Sequence, residues 1–135
     1  ASIKTNPHNW KFPGGMLDPD EHFVEGVVRE VFEETGVKTE FENFIGFRHH
    51  HQGQFSTSNI YAICRLTPLT HHIVMQESEI GDARWFPVDD YLSDEKIGQY
   101  NKKILKSALA FPGFKSVKLA NYMSSDDDYE VFLTD

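Results

Sequence analysis

Val24, Val27, Val28 and Val31 recur at intervals of three and four residues, which places them on one side of an α-helix and obliges that side to face a core. The segment before them, "WKFPGGMLDPDE", carries Pro13, Gly14, Gly15 and Pro19 and predicts a strand running into a turn. Asp18 or Asp20 is placed to accept hydrogen bonds from the free amides of a first helical turn. Glu21 suits the positive end of the dipole, and Gly36 suits the left-handed residue after the last turn. A helix over about residues 21–35 follows. Beyond it, "EFENFIGFRHHH" and "SNIYAICRL" are rich in Phe, Ile and Tyr and predict paired strands joined through "QGQFST". "ARWFPV" predicts a further short strand ended by Pro87. Ile97, Tyr100, Ile104, Leu105 and Leu109 predict the core face of a second helix. The stretch "SSDDDYE" predicts a solvated acidic tail, and "VFLTD" after it a short edge strand or a packed terminus.

These elements fill a chain of 135 residues without a repeat or a Gly/Ser-rich linker, which indicates one domain. A net charge of −8 excludes broad, charge-driven binding to a nucleic-acid backbone, and an anionic small substrate would need a cation to bridge it. Cys64, the single cysteine, lies in an apolar strand and reads as a buried thiol. No apolar run spans a bilayer and residues 1–9 lack the parts of a signal peptide, so a soluble intracellular protein is expected, whether of cytoplasm, nucleus or organelle.

The predicted helix carries Glu30, Glu33 and Glu34 away from its valine side, close enough to repel one another. One reading is a solvated acidic face on which Arg29 pairs with Glu33 a turn later. The other is that a divalent cation, which prefers several carboxylate oxygens, relieves the repulsion.

Residues 15–37 resemble the Nudix box, G-x5-E-x7-R-E-U-x-E-E-x-G-U with U bulky and aliphatic, at every fixed position: Gly15, Glu21, Arg29, Glu30, Val31, Glu33, Glu34, Gly36 and Val37. The flanks "WKFPGG" and "WFPVDDY" extend the resemblance over most of residues 10–110. "REVFEETGVKTEF" and "IYAICRLTPL" are similar to the subgroup of the Nudix protein encoded antisense to a fibroblast growth factor gene and its plant relatives. The resemblance implies an α/β Nudix fold, an α/β/α sandwich with a mixed sheet between helices, in residues 1–112, with residues 113–135 as an acidic, partly packed tail.

It also implies Mg2+- or Mn2+-dependent hydrolysis of a nucleoside diphosphate linked to another group, with ADP-ribose or NADH as the favoured guess. Glu33 and Glu34 would be the principal metal ligands with the carbonyl of Gly14. Glu30 would act as ligand or base, Arg29 would orient the carboxylates, and Glu21 would support a metal or its waters.

Outside the box, Glu77 and Glu79 occupy the loop where many Nudix enzymes keep a further acid, and Glu79 is preferred. Arg48 and His50 are candidates to line the substrate cleft. Within "FRHHHQG" only His49 and His51 share a strand face, and with no cysteine beside them a zinc site is disfavoured. Trp10, Trp85, Phe44 and Phe47 read chiefly as core.

Only fourteen residues precede Gly15, fewer than the strands that usually open this fold, so the sheet is expected to be short at its N-terminal side. The expected consequences are a homodimer, packing against an upstream segment, or a strand supplied by "IKTNPHNWKF" itself. The rival to catalysis is a Nudix scaffold that senses nucleotides or contacts a protein without useful turnover.

Overall fold

The computed structural model describes residues 10–51, 59–74, 82–122, 125 and 128–134. The first helix, α1, spans Phe23–Thr35 and ends where the spacing predicts. Gly36 follows at φ 75°, its N–H bonded to the Phe32 carbonyl at 2.8 Å. A side chain at this left-handed position would be strained and would also sit 2.7 Å from the Val74 carbonyl oxygen, so glycine is required twice over.

The start of α1 departs from expectation. Asp20 lies in a turn at φ 63°, and neither Asp18 nor Asp20 caps the helix, which begins later, after His22. The free amides of Phe23 and Val24 are instead taken by the carboxylate of Glu130, at 2.5 and 3.2 Å. A residue more than a hundred positions away outcompetes the local aspartates because it presents both oxygens along the helix axis.

Strands β1 (Thr39–His50) and β2 (Asn59–Pro68) form the antiparallel pair that the sequence predicts, from Thr39 opposite Pro68 to His50 opposite Asn59. Bulges at Phe41/Asn43 and Phe44/Gly46 shift the alternation. Backbone bonds from Leu69 to Lys38 and from Val74 to Thr35 tie the end of β2 back to the end of α1. The predicted hairpin connection, "QGQFST", falls outside the described residues.

After α2 (Val88–Ser93) and α3 (Gln99–Ala110), strand β3 (Lys115–Val117) pairs antiparallel with β4 (Val131–Leu133), and a Phe44–Phe114 bridge joins this second ladder to β1. Phe132 of β4 packs its ring on Phe23, Phe41 and Phe44, so residues of the expected tail lie against both α1 and β1.

A core cluster gathers Trp10, Tyr91 and Ile97 with Phe86 and Leu105 around it. Residues 82–87 are not the expected strand: no described strand lies beside them, and their aromatic side chains are used for ring packing with Trp10 and His71. On α3 the expected face is only partly right. Leu105 packs on the cluster, whereas Tyr100 and Leu109 are exposed and Lys102 is the buried position. No helix among the described residues is long and apolar enough to cross a membrane.

Candidate functional site

The glycine-rich approach and α1 are held together by their own polar groups. The N–H of Gly14 donates to Glu34 Oε1 at 2.9 Å, which fixes the approach against the last turns of the helix. An added Cβ on Gly15 would lie 2.2 Å from Glu30 Oε2, so the absence of a side chain there is what lets the Glu30 carboxylate settle on the loop. A Cβ on Gly26 would likewise meet Leu17 at 2.2 Å, and glycine lets the loop lie close on the helix.

Arg29 is the hub of this arrangement. Its Nε and Nη2 donate to the two oxygens of Glu21 at 2.7 and 2.9 Å, a bidentate pair. Nη1 donates to Glu30 at 3.0 Å and to both oxygens of Glu33 at 3.2 Å, while Nη2 also reaches the carbonyl of Met16 at 3.0 Å. Asp18 adds its charge 3.5 Å from Nε. One guanidinium therefore bridges three carboxylates of the helix-and-loop unit, and the expected Arg29–Glu33 pair is one arm of a wider network.

The electrostatic consequence is felt at both ends of the Arg29–Glu21 pair. The Arg29 hydrogen bonds, helped by the Asp18 N–H at 2.9 Å, hold the Glu21 carboxyl down at about 2 against an ordinary 4.5. Arg29 is pushed above its ordinary value, first by Glu21 and then by Glu33 and Glu30. Elsewhere, burial and then the charge of Glu130 raise the Cys64 thiol to about 11, which keeps it protonated and unreactive at neutral pH.

Glu30, Glu33 and Glu34 carry oxygen donors of the hard kind that suits a divalent cation, and the N–H of Gly14 lies on Glu34. Among the described residues, no three His, Cys, Asp or Glu groups are gathered into a cage. By type these donors suit a dication; in this arrangement Arg29 engages Glu30 and Glu33, and the Gly14 N–H engages Glu34.

Glu77 and Glu79 lie outside the described residues. Arg48 is exposed near the far end of β1, its guanidinium 4.4 Å over the Tyr61 ring and 5.0 Å over that of Tyr100. His50 is exposed at the end of the same strand, and His49 and His51, the two that the strand alternation places on one face, approach to 4.3 Å between ring centroids. Trp10 is buried as expected, but Phe47 and Trp85 are more than half exposed. A shallow apolar pocket of about 270 Å³ lies on another part of the ribbon, between Phe23, Phe44, Phe47, Ile60, Ala62 and Phe132. The sequence did not announce the parts of Glu130 at the start of α1 and of Arg84 over Trp10, because both act on residues far away along the chain.

The NUDIX domain family matches residues 1–108. Nudix hydrolase 2 of Arabidopsis thaliana is 43% identical over 91 residues, covering 67% of this chain and 33% of that protein. The human protein nucleoside diphosphate-linked moiety X motif 6, encoded antisense to a fibroblast growth factor gene, is 36% identical over 102 residues, covering 74% of this chain and 32% of its own length. The chain thus spans about a third of the length of these relatives, which fall in the subgroup that the flanking sequence predicted. In fold, the MutT protein of Methanosarcina mazei Go1 superposes with a TM-score of 0.58 at 24% identity, covering 73% of this chain and 69% of that one. The ORF135 protein of E. coli superposes at 0.53 and 21% identity, covering 75% and 69%. With the box complete, its glycines and carboxylates joined through Arg29 and the family matched across most of its length, the chain belongs to the NUDIX family.

Proposed function

We propose that this domain is a pyrophosphohydrolase that uses Mg2+ or Mn2+ to cleave a nucleoside diphosphate linked to another group, with ADP-ribose- or NADH-like molecules as the substrate class. The observation that carries the reading is the Arg29 network, which joins Glu30 and Glu33 of α1 to Glu21, just ahead of the helix, and to the Met16 carbonyl of the glycine-rich approach. Glu30, Glu33, Glu34 and the Gly14 carbonyl would hold the cation, with Glu21 behind them. The bound cation would supply charge neutralisation of the diphosphate and a lower pKa for water.

The chain's own residues do the rest. Arg29 keeps three mutually repelling carboxylates in place, and Glu21, ionised down to about pH 2, stays a charged partner for it across the working range. Water adds to one phosphorus of the anhydride, the bridging P–O bond breaks towards the other phosphate, and Glu30 or Glu79 takes the proton that water gives up. Arg48, exposed and lying over two tyrosine rings, and His50 are proposed to meet the substrate beyond the diphosphate, together with Glu77.

Incubation with ADP-ribose, NADH, diadenosine polyphosphates, CoA and nucleoside triphosphates tests this. Cleavage of at least one that needs Mg2+ or Mn2+ and stops with EDTA supports it. A nucleotide that binds tightly yet stays intact with metal present would favour a sensing module instead.

A further inference from the structure

Four arginines occur in this chain, and they divide into two kinds. Arg29 is enclosed by carboxylates, and Arg65 donates to Asn43, to the carbonyls of Ala108, Phe111 and Pro112, and lies 3.8 Å from Glu42. Arg48 and Arg84 have no carboxylate or carbonyl partner among the described residues, although the chain carries an excess of eight negative charges. Both instead lie over two aromatic rings each.

Of the two, Arg84 is the better anchored. Its guanidinium sits 4.6 Å over the Trp10 ring and 4.8 Å over the Phe86 ring. Those rings meet edge-on at 5.1 Å, Trp10 is only 8% exposed, and the Tyr91 hydroxyl donates to the Trp10 carbonyl at 3.0 Å. The rings under Arg48, by contrast, belong to tyrosines 43% and 46% exposed. Asp82, two residues from Arg84, accepts the N–H of Ala83 rather than pairing with it. Stacking engages the faces of a guanidinium and leaves its in-plane N–H donors directed outward, the arrangement that receives a phosphate bidentately. Trp10 also precedes Gly14 by four residues, so its Cα lies within about 14 Å of the residue whose N–H holds Glu34.

We propose that Arg84, held over Trp10 and Phe86 and free of any acidic partner among the described residues, binds a phosphate of the nucleotide from outside the glycine-and-glutamate motif. This rests on the hydrolase reading for the substrate class, but its test does not require turnover. The rigid rings fix the guanidinium before the anion arrives, so little side-chain freedom is lost on binding.

The test is calorimetric titration of the wild-type chain, Arg84→Met and Arg84→Lys with α,β-methylene-ADP, a diphosphate that the hydrolase cannot cleave at that link, in Mg2+. Arg84→Met is expected to weaken binding about tenfold or more. Arg84→Lys should recover part of the loss, and the melting temperature should stay within a few degrees. In a Trp85→Phe background the emission of Trp10 should change on titration when Arg84 is present and not in Arg84→Met. A dissociation constant within twofold of wild type in Arg84→Met would overturn the proposal. So would failure of the wild-type chain to bind the analogue, or an equal loss of affinity for uncharged adenosine, which marks a collapsed pocket and not a lost phosphate contact. A chain that binds the analogue through Arg84 but cleaves none of the nucleotide panel would leave this proposal standing and remove the hydrolase reading alone.

Discussion

Glu130 caps the helix that begins at Phe23: its two carboxylate oxygens accept the N–H groups of Phe23 at 2.5 Å and Val24 at 3.2 Å. His22, which occupies the cap position and offers no side-chain bond to these amides, approaches the same carboxylate at 3.7 Å. The acidic side chain also complements the positive end of the helix dipole. The helix that carries the glutamates is therefore fixed at its start by a residue outside the part of the chain that the family matches.

Removing that cap should destabilise the domain as a helix cap does. Glu130→Ala is expected to lose about 1 kcal/mol, which lowers the melting temperature by roughly 3–6 °C for a domain of this size. Glu130→Gln, whose amide oxygen still accepts one N–H, should lose less. Thermal unfolding followed by circular dichroism compares the three proteins, and equal melting temperatures would mean that the cap does not form in solution.

The two glycines ahead of the helix should respond differently to alanine. A Cβ at Gly14 meets nothing within 4 Å, whereas one at Gly15 would overlap the Glu30 carboxylate at 2.2 Å. The carboxylate is the free end of a flexible side chain, so Gly15→Ala should fold and melt close to wild type while turning over substrate at least tenfold more slowly, the carboxylate having been pushed off its place. Gly14→Ala should keep most activity. Steady-state rates on one substrate, with melting curves beside them, check both, and a Gly15→Ala enzyme as fast as wild type would show that the position of Glu30 is not critical.

Much of this arrangement could be read from local pattern. The valine spacing and Gly36 predict α1 to its last residue, and the Phe-, Ile- and Tyr-rich runs predict β1 and β2, because those signals act between near neighbours. What the chain hides is decided across distance. Asp18 and Asp20 are good caps by type, but Glu130 reaches the amides first. "ARWFPV" has the composition of a strand, yet a strand needs a partner, and Trp10 claims those residues for ring packing and for Arg84. Tyr100 fits a helical core stripe by spacing but lies under Arg48, which no periodicity reveals. The box itself was legible because its chemistry is held in one short segment. The mutual grip of Arg29 on Glu21, Glu30 and Glu33 was legible only in part, as the Arg29–Glu33 pair.

Acid should loosen the loop-and-helix unit in a defined window. Glu21 has a folded pKa of about 2, below its ordinary 4.5, so its contribution is fully present above about pH 4.5 and is lost as pH falls towards 2. The difference in melting temperature between wild type and Glu21→Gln should therefore be steady from pH 7 to about 5 and shrink below pH 4.5. A gap that stays constant down to pH 2.5 would mean that the Arg29–Glu21 pair is not formed.

The most direct test of the account compares wild type with Glu33→Gln for release of mononucleotide from the substrate panel in saturating Mg2+. The Glu33 side chain is 55% exposed, lies off the valine side and shares Arg29 with Glu21 and Glu30, so exchanging it for a residue of equal size should leave the melting temperature in place or slightly raised. Turnover should fall by two orders of magnitude or more, on the order of what losing a charge-assisted contact in a catalytic site costs. A folded Glu33→Gln protein that hydrolyses its substrate at close to the wild-type rate in saturating Mg2+ would contradict the assignment of the helix glutamates to metal-dependent hydrolysis.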